Sequence, residues 1–201
     1  MAILTTYPSS NYRKHTSGNP LQQALIGRFH KRLRLLIAGL DIQTVLDAGC
    51  GEGFVLRFLR ASQPQLRLIG IDLDANAAAL ARRVAGDVPV GVGDLYHLPF
   101  RDNAFDLVLS TEVLEHVDEP AQALRELARV SARYCLFTVP WEPMFKAANF
   151  MRGRNLASWG NDPGHIQAWS MHAFAHLVRQ QLTIRYAGTS FPWTIVLAEK
   201  T

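Results

Sequence analysis

The chain has 201 residues, of which 48% are hydrophobic and 19% charged, and its formal net charge is +4. This composition is typical of one globular domain, and two cysteines, Cys50 and Cys135, are too few for a disulfide framework. No apolar run reaches the roughly 18 residues that a membrane span needs, and the N-terminus lacks the pattern of a signal peptide. We therefore expect a cytoplasmic protein with reduced thiols.

All of the excess positive charge lies in the first 40 residues, which contain six Lys or Arg and no Asp or Glu. Residues 20–40 place apolar side chains near helical spacing, which predicts a helix. One interpretation is a packing helix with a solvated basic face. The alternative is a basic N-terminal lid, residues 1–40, that covers a cofactor and attracts an anionic acceptor or makes a peripheral contact with a membrane surface.

A predicted strand, residues 43–48, leads into a turn with glycine at every second position: Gly49, Gly51 and Gly53. Glycine allows a tight turn at positive φ and a close approach of the backbone to a ligand. A helix is predicted next, at 53–61, and then a strand, 66–72, that ends on Asp72. Open α/β sheets bind ligands at the carboxyl ends of such strands, so the turn indicates a nucleoside-bearing cofactor.

The remaining pattern alternates between strands and helices. Strands are predicted at 88–93, 105–110, 134–139, 182–188 and 193–199, and helices at 75–84, 120–131 and 171–181. Alternating units of this kind indicate a doubly wound parallel sheet, and the last two strands are close enough in sequence to form a hairpin. Residues 140–170 have no clean period and contain several Pro, Gly and Trp, so we interpret them as an insertion beside the active site.

Three ordered motifs resemble the class I S-adenosylmethionine-dependent methyltransferases, of the small single-domain, methyltransferase-11-like type. They are VLDAGCGEG, GIDLD and GDLYHLPFRDNAFDLVLSTEVLEHV, and the resemblance is strong over residues 45–139. It implies an α/β fold with a Rossmann-like, doubly wound, mostly parallel seven-stranded sheet whose last strand is antiparallel. It also implies one methyltransferase domain over residues 1–201, with S-adenosyl-L-methionine as cofactor and S-adenosyl-L-homocysteine as product.

The resemblance assigns roles around the cofactor. It implies that Asp72 accepts hydrogen bonds from the ribose hydroxyls, whereas a structural alternative makes Asp72 the N-cap of the next helix. Asp94 would bind the adenine amino group and Asp47 would order the glycine turn and the amino group of the methionine part. The other cofactor-binding residues that we predict are Gly49, Gly51, Leu73, Leu95 and Thr111.

The segment after the fourth strand, TEVLEH, faces the methyl group in the family. If a helical turn begins there, Glu112, Glu115 and His116 share a face. Such an ExxEH pattern resembles the metal half-site of ubiquinone-pathway O-methyltransferases and of small-RNA 2′-O-methyltransferases. Because the pair EH is also common in relatives that bind no metal, we predict no metal and keep these three residues as weak candidates.

Two histidines are candidates for a general base, because a neutral imidazole can take a proton near pH 7. His165 is the first, since it belongs to a GHxxxWS pattern that recurs near the acceptor in small methyltransferases; Ser170 of that pattern suits a helix N-cap. His116 is the second. The alternatives are a structural role for His165 and a reaction that needs no base.

These observations predict transfer of a methyl group to an O, N or C atom of a small-molecule or lipid acceptor. A nucleic-acid methyltransferase, including a metal-assisted 2′-O enzyme acting on RNA, is a weaker alternative that the basic N-terminus and the ExxEH pattern favour. A non-catalytic cofactor-binding partner is the third. The sequence does not indicate the acceptor or the oligomeric state.

Overall fold

A computed structural model describes residues 10–141 and 166–200. The helices are α1 (Ser10–Thr16), α2 (Pro20–Ala38), α3 (Phe54–Ser62), α4 (Ala75–Val84), a 3-10 turn (Leu114–His116), α5 (Pro120–Val130) and α6 (Met171–Arg179). The strands are β1 (Thr44–Ala48), β2 (Arg67–Asp72), β3 (Val90–Val92), β4 (Phe105–Thr111), β5 (Ser131–Pro140), β6 (Thr183–Ser190) and β7 (Trp193–Glu199).

The seven strands form one sheet in the order β3-β2-β1-β4-β5-β7-β6. Neighbouring strands from β3 to β5 are parallel, and β7 lies antiparallel between β5 and β6. The predicted fold class is therefore confirmed, including the antiparallel last strand. The order reverses at β1 and β4, which places the carboxyl ends of these strands at the switch point where such sheets bind ligands.

Helices cover both faces of the sheet because alternate side chains of each strand point to opposite sides. Helices α2, α3 and α4 pack on one face, where Leu33, Leu56 and Ala81 are fully buried. Helices α5 and α6 pack on the other, through residues such as Leu127 and Phe174. Most of helix α2, predicted as part of the basic segment, is thus fixed to the sheet by its apolar stripe.

Two strand starts differ from the sequence prediction for identifiable reasons. Strand β3 begins at Val90 because Pro89 has no N–H to donate to a ladder. Strand β5 begins at Ser131, directly after α5; the exposed Ala132 and Arg133 interrupt the apolar pattern there. Helix α1 was not predicted. Cys50 and Cys135 are buried free thiols, and no helix within the described residues is long and apolar enough to cross a bilayer.

Candidate active site

The glycine turn follows β1 and depends on its glycines at defined points. Gly49, Gly51 and Gly53 all have positive φ, of 79°, 53° and 79°. A Cβ built on Gly49 would overlap Cγ2 of Val113, and one on Gly53 would lie 3.0 Å from the Cα of Ala81 in α4. The backbone N–H groups of Gly49 and Cys50 both donate to the carbonyl of Ile71, at 2.8 and 3.0 Å. The turn is therefore fastened against the end of β2.

Asp72, at the end of β2, links the glycine turn to the start of α4. Its Oδ2 accepts a hydrogen bond from the N–H of Gly51 at 2.7 Å, and its Oδ1 accepts one from the N–H of Asp74 at 2.9 Å. The N-cap of α4 is Asp74, which accepts from the N–H of Asn76. The alternative interpretation of Asp72 as the helix cap is therefore wrong.

Asp47 lies beneath the turn and is fully buried. Neither oxygen of its carboxyl group has a hydrogen-bond partner in the described part of the chain. Burial, together with the nearby charge of Asp72, raises the pKa of Asp47 to about 7. A buried carboxyl group without a donor is costly, so this position would gain from a ligand that brings a cation or an N–H group.

A cavity of about 300 Å³ opens beside the turn, at the carboxyl ends of β1, β2 and β3. Its lining includes five of the predicted cofactor-binding residues: Gly49, Asp72, Leu73, Asp94 and Leu95. Asp94 accepts a hydrogen bond from the N–H of Tyr96 at 2.9 Å and remains about half exposed. The lining also includes residues after β4, among them Val113 and His116.

The segment after β4 is shaped by Glu112, a non-glycine residue with a φ of 56°. Its Oε2 pairs with Nζ of Lys14 from α1, and its Oε1 accepts a hydrogen bond from Nε1 of Trp193 at 2.6 Å. These two donors offset burial and lower the pKa of Glu112 below its usual range. Because φ is positive at Glu112, no helical turn begins there, and the expected shared face of the ExxEH residues does not form.

Glu115 lies in the 3-10 turn and is only 1% exposed. Its carboxyl oxygens have no hydrogen-bond partner among the described residues, and burial and the charge of Glu112 raise its pKa. Its backbone carbonyl accepts from the N–H groups of Ile166 and Gln167. Across residues 10–141 and 166–200, no group of three or more His, Cys, Asp or Glu side chains is placed to hold a metal ion.

Comparison with known proteins agrees with this geometry. Residues 46–136 match the Methyltransf_11 model of a methyltransferase domain. The demethylmenaquinone methyltransferase of Thermotoga maritima is 31% identical over 106 residues, which are 53% of this chain and 46% of that protein. The chloroplastic tocopherol O-methyltransferase of Arabidopsis thaliana is 40% identical over 138 residues, 62% and 38% of the two chains.

Residues 46–136, just under half of the chain, therefore match a methyltransferase domain. The chain spans less than half the length of these curated relatives. Among solved structures, magnesium protoporphyrin IX methyltransferase from Synechocystis PCC 6803 with bound SAH has a TM-score of 0.70. That match covers 97% of this chain and 96% of the other. At 18% identity, this likeness is one of fold.

The cofactor of this methyltransferase domain is S-adenosylmethionine, and the residues present fit it. The fit rests on the unpartnered Asp47 carboxyl group, which suits a ligand that carries an ammonium group. The glycine turn leaves no room for a Cβ at Gly49, and the cavity is lined by the carboxylates of Asp72 and Asp94 and by apolar residues such as Leu95.

The structure brings most, but not all, of the predicted residues to the cavity. Three predicted residues do not line it: Asp47, Gly51 and Thr111. Asp47 lies in strand β1 beneath the turn, Gly51 lies in the turn itself, and Thr111 is the last residue of β4. His116 lines the cavity beside Val113. His165 lies outside the described residues, as does most of the predicted insertion at 140–170. Ser170 is the N-cap of α6, as predicted, and accepts from the N–H of Ala173.

Sequence reasoning missed the contribution of α1. Asn11 donates to Glu52 of the glycine turn at 2.6 Å, and the ring of His15 stacks on Phe54 of α3 at 4.4 Å, with 6° between the planes. Lys14 reaches Glu112 on the other side of the turn. The only sequence signal for this helix was its basic charge, because these three contacts join residues about 40 to 100 positions apart.

Proposed function

We propose that this protein transfers a methyl group from S-adenosylmethionine to a small-molecule or lipid acceptor. The observation that carries the proposal is the cavity at the carboxyl ends of β1–β3, which joins the glycine turn, Asp72 and Asp94 to the segment after β4. When bound, S-adenosylmethionine supplies an electrophilic methyl group on a sulfonium ion and leaves as S-adenosylhomocysteine.

The chain's own residues would bind and orient the donor. We assign the ribose hydroxyls to Asp72, whose carboxylate is already held in place by Gly51 and Asp74. We assign the adenine ring to Asp94 and Leu95 and the methionine part to Gly49 and Gly51, with Asp47 beneath. Leu73 and Thr111 complete this set. Proton removal from the acceptor, where it is needed, falls to His165 as the first candidate and to His116, which lines the cavity, as the second.

We also propose that residues 1–40 cover the donor. Helix α1 supports this role, because it bonds to the glycine turn through Asn11 and to the far side of the cleft through Lys14. A cover excludes water and holds the donor and acceptor in line, which accounts for a large share of the rate in such transfers. The basic face of α2, with Arg28 and Lys31 exposed, would attract an anionic membrane surface.

The test is incubation of the full chain with methyl-labelled S-adenosylmethionine and separate pools of metabolites, lipids and RNA. We expect label in the metabolite or lipid pool. Label in RNA, with binding that falls steeply as salt rises, would favour the nucleic-acid alternative. Donor binding without transfer to any pool would favour a non-catalytic role. Loss of transfer in a chelator, restored by a divalent ion, would show metal assistance.

A further inference from the structure

The wall of the cleft after β4 already holds an ammonium group. The Nζ of Lys14 pairs with the carboxylate of Glu112 and lies 5.3 Å from the centroid of the Trp193 ring. The indole of Trp193 also donates to Glu112. A carboxylate beside the face of a tryptophan is a typical arrangement for binding organic cations.

A second carboxyl group lies close to the first and has no partner in residues 10–141 and 166–200. Glu115 is almost fully buried, with no hydrogen bond to either oxygen. It is near enough to Glu112 and Lys14 for both of their charges to act on it. Both unpartnered oxygens of Glu115 therefore lack a donor or a cation.

This cluster adjoins the donor cavity. Val113, the next residue after Glu112, lines that cavity and packs so closely on Gly49 that no Cβ fits between them. His116, the next residue after Glu115, also lines it. An acceptor group bound at the cluster would thus lie next to the donor site.

We propose that the acceptor is an amine whose nitrogen, as an ammonium ion, takes the place of the Lys14 ammonium between Glu112 and Trp193. This inference rests on the proposed function and names its acceptor class. The Lys14 side chain can move away, because it is 24% exposed and its stem is flexible. The helix that carries it, α1, is also short, with seven residues. The exchange leaves Glu112 paired, whereas an alcohol or a carboxylate in the same place would leave it without a cation.

Methyl transfer needs the free amine, so the bound ammonium ion must first lose a proton. For an amine acceptor the base within reach is the Glu112 carboxylate that pairs with it: an N–H bond breaks, an O–H bond forms, and the amine keeps its lone pair for the methyl group.

The test compares two ligands of the same shape, phenethylammonium and 2-phenylethanol, titrated calorimetrically into the full chain saturated with S-adenosylhomocysteine. In Lys14→Met, where the internal competitor is absent, phenethylammonium should bind at least about tenfold more tightly than in the wild type. Adding Glu112→Gln to Lys14→Met should reverse that gain. The alcohol should respond to neither change, and Arg83→Met, on the exposed face of α4, should behave as the wild type.

Equal affinity for phenethylammonium in Lys14→Met and wild type, with S-adenosylhomocysteine still bound, would overturn the inference and leave the proposed function intact. So would labelled methyl transfer to alcohols or acids and not to amines. Absence of S-adenosylhomocysteine binding by the folded wild type would instead contradict the proposed function. The thermal unfolding temperature of each variant serves as its folding control.

Discussion

The two sides of the cleft are built in different ways. On the donor side, backbone groups of the glycine turn are fastened to β2 and to Asp72, all within residues 49–74. On the opposite side, side chains from three distant parts of the chain, Lys14, Glu112 and Trp193, meet after β4. The first construction depends on local chain geometry and the second on tertiary packing.

The two sides of the cleft therefore tolerate different kinds of substitution. A backbone-built site has no spare volume, so one added carbon atom disturbs it. A side-chain cluster can exchange one partner for another of the same charge, which suits the recognition of a variable acceptor. We therefore expect substitutions on the donor side to have the larger effects on cofactor binding.

The largest effect is expected from Gly49→Ala. A methyl group there overlaps Val113, and the residue has a φ of 79°. Strain of up to about 3 kcal/mol should weaken S-adenosylhomocysteine binding by roughly 100-fold, measured by equilibrium dialysis. Gly39→Ala is the matched control, because nothing lies within 4 Å of a Cβ there. Equal losses in both variants would contradict the account.

Asp72→Ala should follow, with binding of S-adenosylhomocysteine weakened by about 10- to 100-fold. The change removes the acceptor of two backbone N–H groups and the group that we assign to the ribose. Asp87→Ala is the control, because that carboxylate is 73% exposed and pairs with Arg60. The affinity of both variants for adenosine would show whether the nucleoside part accounts for the loss. If Asp72→Ala bound adenosine as tightly as the wild type does, the ribose assignment would be refuted.

The third prediction concerns pH and the ligand-free protein. The pKa of Asp47 is about 7 in the folded state against a usual value of 3.8, so the folded state holds more protons between these values. Its contribution to stability is therefore present at low pH and is lost as pH rises towards 7. Asp47→Asn should stabilise the protein more at pH 8.5 than at pH 5.5, by an amount on the order of a few kcal/mol.

Thermal unfolding of the wild type and Asp47→Asn at both pH values measures this difference. Asp87→Asn, an exposed carboxylate, should show no such dependence. If the shift in the unfolding temperature caused by Asp47→Asn were the same at pH 5.5 and pH 8.5, Asp47 would not be the group that titrates.

The smallest effect is expected from Asn11→Ala, which removes one hydrogen bond between α1 and Glu52 of the glycine turn. If α1 covers the donor, S-adenosylhomocysteine should dissociate about three- to tenfold faster, measured by stopped-flow displacement. Arg28→Ala, on the exposed face of α2, should leave the rate unchanged. Identical dissociation rates in Asn11→Ala and the wild type would argue against the cover.

The contrast between the two sides also explains what the sequence could reveal. The glycine turn, Asp72 and Asp94 follow predicted strands at short spacing, so the order of the motifs indicates their place at one edge of the sheet. Glu112 has a positive φ and pairs with Lys14 and Trp193, which lie 98 and 81 residues away in the chain. Neither feature produces a periodic pattern in the sequence. For the same reason the sequence alone did not indicate helix α1 or whether a helical turn begins at Glu112.

The central claim is that the cleft at the carboxyl ends of β1–β3 binds the methyl donor. Calorimetric titration of the full wild-type chain with S-adenosylhomocysteine tests it most directly. We expect one saturable site per chain, with S-adenosylmethionine competing for it. A folded wild-type protein that binds neither compound would contradict the account.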